Sequence, residues 1–250
     1  MPYQQGIELG GKDAQRCARI AGALYLVIIV IGLLGETLIR NSLVVAGNAA
    51  ETAQRIVASE WLWRVGIAGQ LLLLLCAVGL SLAWYVLLRP VNRNLTLLAM
   101  FFALVSLAVE SVSALQLQGA LTPLLAGAHL GIDMQQAQAT AYLAIVGHSY
   151  AFAVALMFFG AECLIVGHLI RRSGYFPAPV GALMQLAGLC YLLNTFIMVL
   201  SPALHGTLFP AILVPSFLGE SAFCLCLLFK GLDIAAWERS AAPSPSLTFH

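Results

Sequence analysis

The chain has 250 residues, of which 61% are hydrophobic and only 9% charged, with a mean hydropathy of +0.92. Soluble domains carry about 25% charged residues, and a fold of this length exposes too much surface to hide so apolar a composition from water; a water-soluble globule is therefore excluded and a membrane protein indicated. The formal net charge is +1 and the basic residues are scattered among loops, which excludes a nucleic-acid groove.

A membrane-crossing helix needs about 20 apolar residues, and six such runs occur, at roughly 18–39, 62–88, 95–119, 141–170, 179–200 and 209–230. The runs are long and continuous, whereas barrel strands would be shorter and alternating. The expected fold class is an all-α polytopic bundle of six transmembrane helices, forming one membrane domain over residues 18–232. A tail of residues 1–17 precedes it, and a disordered tail, residues 233–250, comes after it. The first run comes after Lys12, Arg16 and Arg19 in the manner of a signal peptide, but it ends in Gly35-Glu36-Thr37-Leu38 without a small-residue cleavage site, so it reads as a retained anchor.

The connections carry their own signals. Asn48 with Glu51 three residues on is a capping box that starts a short amphipathic helix in the 1–2 loop, with Trp61 and Trp63 then expected at the headgroup level. Pro90 ends span 2. Asp133 with Gln136 is a second capping box, so span 4 is expected to begin outside the membrane and run long. Gly174 is the expected C-cap of span 4. Pro215 is expected to kink span 6.

Charge sets the orientation. Lys12, Arg16, Arg19, Arg89, Arg93, Arg171, Arg172, Lys230 and Arg239 fall on the side of the termini, and only Arg40, Arg55 and Arg64 on the other. The positive-inside rule then puts both the N-terminus and the C-terminus in the cytoplasm. The six cysteines all lie in or beside apolar runs, so no disulfide framework is expected. Six spans also suit two inverted halves of three, and Val109-Glu110-Ser111 in span 3 has a short echo in Gly219-Glu220-Ser221 of span 6.

Ionisable residues within spans are costly and usually face protein or water. Glu36, Arg64, Glu110, His148, Asn194 and Glu220 stand at similar depths, towards the end of the bundle away from the termini, and are the candidate lining of one polar pocket. Ser106, Glu110 and Ser113 share a face of span 3, and Tyr25, Gly32 and Glu36 share a face of span 1. Glu162 is about 21 Å from His148 along the helix axis and is expected to stand apart, in the inner half. Each candidate also has a purely structural reading. Glu60–Arg64 is a favourable i,i+4 pair, Glu36 can pair with Arg40, and His148 can be a neutral hydrogen-bonding residue between helices. No H-E-x-x-H, Walker, G-x-S-x-G or paired-cysteine zinc pattern occurs. His148 and His168 lie on one helix at different depths and so cannot clamp a haem. No metal and no cofactor is expected.

Several stretches are similar to the bacterial membrane family known as domain of unknown function 4386, DUF4386. They are Ala18-Arg19-Ile20-Ala21-Gly22 through Glu36; Arg64-Val65-Gly66; Leu88-Arg89-Pro90-Val91-Asn92; His148 with Phe158-Phe159-Gly160, Gly167-His168-Leu169-Ile170 and Ser173-Gly174-Tyr175-Phe176-Pro177; and Pro215 to Glu220, with Lys230-Gly231. The resemblance covers roughly residues 14–232. It implies six spans and a bacterial inner membrane, and no defined activity. Glu110 stands where the family has small apolar residues, which leaves Glu36, Arg64, His148 and Glu220 as the residues that fit its pattern.

The leading functional expectation is binding or transport of a small polar or amphipathic solute in a buried pocket, rather than catalysis. Glu36 and Glu220 are the expected acceptors, Arg64 the counter-charge and His148 a proton carrier. The alternatives are an intramembrane enzyme using His148 and Glu220 as an acid–base pair on a lipid, and a regulatory or scaffold subunit. Membrane lipids are the expected partners, with no nucleic acid.

Overall fold

In a computed structural model, which describes residues 10–242, six helices are long and apolar enough to cross a membrane: Gly11–Leu43, Glu60–Leu88, Arg93–Ala126, Met134–Ser173, Ala178–Leu200 and Ala211–Lys230. These are spans 1 to 6. No strand occurs among the described residues. The protein is an all-α, multi-pass membrane bundle. The helices overrun their apolar stretches because polar flanks such as Arg93-Asn94 and Met134-Gln135-Gln136 still have good helix propensity or caps. The Asn92 side chain accepts from the Leu95 amide at 3.0 Å, and Asp133 accepts from Gln136 at 2.8 Å.

Each span packs on the one before it in the chain, and span 6 packs back on span 1, so the six form a ring in sequence order. Spans 3 and 6 therefore stand on opposite sides. Four glycines bring spans 4 and 5 into backbone contact: a Cβ on Gly167 would lie 2.5 Å from the Gly181 carbonyl oxygen, and one on Gly160 would lie 2.8 Å from that of Gly188. Small residues at seven-residue spacing on both helices are what allow such an approach, because apolar lipid gives helices no hydrophobic reason to associate.

Two separate apolar cores hold the ring. At the end carrying the termini, Tyr25, Trp84, Leu87, Ile170, Phe176, Met184, Phe223 and Leu227 form a large buried cluster. At the far end, Ile39, Ile56, Trp63, Ile67, Leu117, Leu121 and Ile145 form a second one, drawn from spans 1 to 4 and the short helix Ala49–Ala58. Spans 5 and 6 contribute nothing to the second cluster. The outward faces, for example Leu75, Leu115 and Phe229, are apolar and exposed, as a lipid-facing surface requires.

The caps of the connections form as expected. Asn48 Oδ1 accepts from the Glu51 amide at 3.0 Å. Gly174 ends span 4 at φ 73°, a left-handed conformation that glycine adopts without strain. The turn after it is locked by Tyr175, whose hydroxyl donates to the Leu87 carbonyl at 2.7 Å. Burial pushes the Tyr175 phenol above its usual ionisation range, so it stays a neutral donor.

Three expectations are corrected. Trp61 is exposed, but Trp63 is buried and donates its indole N–H to the Leu117 carbonyl at 3.0 Å, because its face of span 2 turns inward. Pro215 does not kink span 6: it sits in the first turn of the helix Val214–Leu225, where no amide donor is needed. A helix, Ile234–Ala241, stands in the stretch expected to be disordered; its Trp237 packs into the terminal-end core, and Glu238 accepts from the Gly11 amide at 3.2 Å. The rest of that tail, residues 243–250, and residues 1–9 of the N-terminal tail lie outside the described residues.

Candidate functional site

Between the two cores lies a cavity of about 270 Å³. Its position is set by where spans 1 to 4 leave the first core and enter the second, and by the spans 5 and 6 that close the ring beside them. Span 1 lines it from Tyr25 to Leu33, span 2 from Leu73 to Trp84, span 3 from Ala103 to Glu110 and span 4 from Phe152 to Glu162. Span 5 adds Tyr191, and span 6 adds Leu213, Phe217 and Glu220. All six spans contribute, so the cavity is the axis of the ring.

The wall is apolar apart from a few groups, three of which are carboxyls: Glu110, Glu162 and Glu220. Glu220 comes from span 6 where Gly219 lets that helix approach span 5; a Cβ on Gly219 would lie 2.6 Å from the Leu183 carbonyl oxygen. Two phenols hold the Glu220 carboxyl: Tyr25 donates to Oε2 at 3.1 Å, and Tyr191 donates to Oε1 in a short contact. Glu110 comes from the opposite wall and accepts from Gln70 Nε2 at 2.6 Å. Glu162 is 3% exposed, and no hydrogen-bond partner meets its carboxyl among the described residues. Glu220 is within electrostatic range of both other carboxyls. Among the described residues no Lys, Arg or His lines the cavity. Trp84 lines it too, but its indole N–H is buried away from the cavity and has no acceptor among the described residues.

The cavity is not sealed on all sides. Leu33 of span 1 and Phe217 of span 6 both line it, and yet are 48% and 47% exposed. Spans 1 and 6 cross closely near the termini, where a Cβ on Gly22 would lie 2.8 Å from the Leu228 amide nitrogen. Leu33 and Phe217, further from that crossing, are where the lining reaches the outer surface of the bundle.

Of the six candidates, the structure brings Glu110 and Glu220 together at this cavity and leaves four elsewhere. Glu36 pairs with Arg40, whose Nε lies 2.6 Å from Glu36 Oε2. Arg64 is partly exposed and pairs with Glu60, Nε to Oε1 2.6 Å. Both are i,i+4 pairs on one helix, which a side chain finds before any partner across the bundle. His148 is buried against span 3: its Nδ1 lies 2.7 Å from Ser113 Oγ, and that hydroxyl donates to the His148 carbonyl at 3.0 Å. Asn194 is buried on span 5, its Oδ1 without a partner among the described residues, and does not line the cavity. The shared pocket of all six is thus not what the geometry forms. Glu162, expected to stand apart, is in the cavity because the cavity reaches past mid-depth towards the terminal end.

Sequence reasoning also missed Gln70, Tyr25, Tyr191 and Trp84 as members of the site. Tyr25 had a signal, since it shares a face of span 1 with Gly32, and both line the cavity. Gln70, Tyr191 and Trp84 had none, because which face of a lipid-embedded helix turns inward is set by neighbours the pattern does not name. Among the described residues no group of three or more His, Cys, Asp or Glu is arranged to hold a metal.

Residues 20–231 match the family described as Domain of unknown function (DUF4386). The chain belongs to this family. It is also similar to an uncharacterised protein of Archaeoglobus fulgidus, 26% identical over 169 residues, which cover 68% of this chain and 85% of the relative. No solved structure gives a significant match. Several stretches within the matched residues have identifiable places in the fold. Gly160 and Gly167 make the span 4–5 contact, Tyr175 and Phe176 fix the turn after span 4, Gly22 makes the span 1–6 crossing, and Gly219-Glu220 delivers a carboxyl to the cavity.

Proposed function

We propose that this DUF4386 protein binds a small amphipathic solute in its central cavity, and that the solute arrives from within the membrane, between spans 1 and 6. The observation that carries this reading is Glu162: a buried carboxyl, facing a cavity, with no protein donor among the described residues. Burying a charge without a partner is expensive, and Leu or Met at this place would pack without that penalty. A carboxyl that faces space and not a partner is suited to a guest. The apolar remainder of the wall and the half-exposed Leu33 and Phe217 suit the apolar part of such a guest. The nine basic residues on the terminal side support cytoplasmic termini, and the resemblance supports a bacterial inner membrane.

The enzymatic reading loses its chemistry here. His148 does not line the cavity that holds Glu220, and its ring is engaged by Ser113. The scaffold reading accounts for Glu36, Arg64 and His148, which are satisfied locally, but not for Glu162.

The test is equilibrium binding of a matched series (3-phenylpropylamine, 3-phenylpropanol and 3-phenylpropionic acid) to the full chain in lipid nanodiscs, corrected for partition into empty nanodiscs. Saturable binding of at least one member, abolished by Ala103→Phe at the cavity wall, is expected. No saturable binding by any member refutes the reading.

A further inference from the structure

The charge balance of the cavity narrows the chemistry of its guest, given the solute-binding function proposed for it. Three carboxyls face the cavity from spans 3, 4 and 6, and among the described residues no basic residue lines it. Arg40 is within electrostatic range of Glu110, but it is held by Glu36 and lies outside the wall. The bundle therefore brings acidic groups from opposite sides to one low-dielectric space and places no counter-charge in its wall. The rest of the wall is rich in π faces, with Tyr25, Trp84, Phe152, Phe159, Tyr191 and Phe217 all contributing. Aromatic faces attract cations, most strongly when both are out of water.

A second observation is the lack of any partner for Glu162. It is 3% exposed and lines the cavity, and no hydrogen bond meets its carboxyl among the described residues. Buried polar groups usually have a partner, so this carboxyl marks a place where a donor on a guest belongs. The carboxyls and the π faces together describe a ligand with a positive group on an apolar body.

We propose that the cavity is a site for an amphipathic amine, its ammonium on Glu162 with Glu220 and Glu110 as neighbouring acidic groups, and its apolar body along the opening between spans 1 and 6. Glu220 is already held by two phenols and Glu110 by Gln70, so Glu162 is the carboxyl free to make the direct contact. An anionic guest finds no basic residue in the wall, among the described residues, to offset the cost of burying its charge.

The matched series separates the amine assignment from the solute-binding function on which it rests. The amine is expected to bind at least about tenfold more tightly than the alcohol, close to the strength of one hydrogen bond to a charged group, and the acid to show no saturable binding. Glu162→Gln removes the charge at a residue with no hydrogen bond to lose, so the fold is retained; the ratio of amine to alcohol affinity should fall to about one. Equal binding of amine and alcohol overturns the amine assignment and leaves the solute reading standing. Tighter binding of the acid does the same. An amine preference that survives Glu162→Gln overturns the place given to Glu162, and saturable binding by none of the three overturns both readings.

Discussion

Replacing Gly167 by alanine tests the packing on which the site depends. The added Cβ would lie 2.5 Å from the Gly181 carbonyl oxygen and 2.9 Å from the Gln185 amide nitrogen, both backbone atoms that no rotamer change can move. Ordinary contacts are about 3.5–4.0 Å, so spans 4 and 5 must part by about 1 Å. Overpacking of this kind costs about 1–3 kcal/mol. Against it stands the better helix propensity of alanine, about 0.8–1.0 kcal/mol. The net expectation is a loss of up to about 2 kcal/mol. Gly119, in span 3, is the control, because a Cβ there meets nothing within 4 Å. The same substitution at Gly119 should gain about 0.5–1 kcal/mol. Reversible unfolding in mixed micelles, monitored by helicity, reads both. The separation of spans 4 and 5 also moves Tyr191 relative to Glu220, so Gly188→Ala, on the same contact, should weaken amine binding as well as stability. Equal effects of the same sign at Gly167 and Gly119 would refute the close-packed interface, and with it the account of how Tyr191 is placed.

Other outcomes trace to single contacts. Asn48→Ala removes the N-cap of Ala49–Ala58 and should cost about 1 kcal/mol, seen as faster hydrogen exchange at the Glu51 amide with the six spans still protected. Trp63→Phe leaves the buried Leu117 carbonyl without its side-chain donor and should cost about 1–3 kcal/mol, whereas Trp61→Phe, on an exposed residue, should be neutral in the same unfolding experiment. Leu33→Trp or Phe217→Trp narrows the side opening and should slow association of 3-phenylpropylamine, measured by stopped flow, without changing its preference over the alcohol; unchanged rates in both variants would place the entry route elsewhere. Glu162→Met should raise the unfolding midpoint while abolishing amine binding, and a lowered midpoint would show that the carboxyl has a structural partner.

The membrane architecture was readable because the bilayer imposes a length and a polarity on every crossing. Long apolar runs therefore speak for themselves, and so do local caps such as Asn48, Asp133 and Gly174. The site was only partly readable. Depth along each helix could be counted, and it raised Glu110 and Glu220, both of which line the cavity. Rotation about each helix could not, since the lipid-facing and inward faces are both apolar and leave no amphipathic stripe to trace. Arg64 and Glu36 were therefore drawn into a pocket, although each had an acid–base partner four residues away on its own helix. Glu162 was set aside on depth alone, because the vertical extent of the cavity is fixed by where the two cores end. Tyr191 and Trp84 carry no charge and so gave no signal at all.

The contrast among the buried polar groups is what separates a packing device from a site. Polar side chains in the spans are mostly satisfied at short range: Ser106 donates to the Ala155 carbonyl at 2.8 Å, Thr195 to Ala153 at 2.7 Å and Ser216 to Ala187 at 3.1 Å. These bonds tie neighbouring helices, and lipid rewards them because the alternative is an unpaired group in hydrocarbon. The cavity groups grade away from this pattern. Among the described residues Glu220 has two donors, Glu110 one, and Glu162 none. If the acids existed to hold the ring together, the least satisfied one would sit at an edge, where solvent or headgroups could reach it. Instead it sits at the axis, between two dry cores. A bundle that gained only stability from position 162 would carry an apolar residue there, so the carboxyl is retained against stability, as groups at binding sites commonly are. Filling the cavity with an amine supplies the missing partner, and occupancy should therefore raise the unfolding midpoint most in the chain that keeps Glu162.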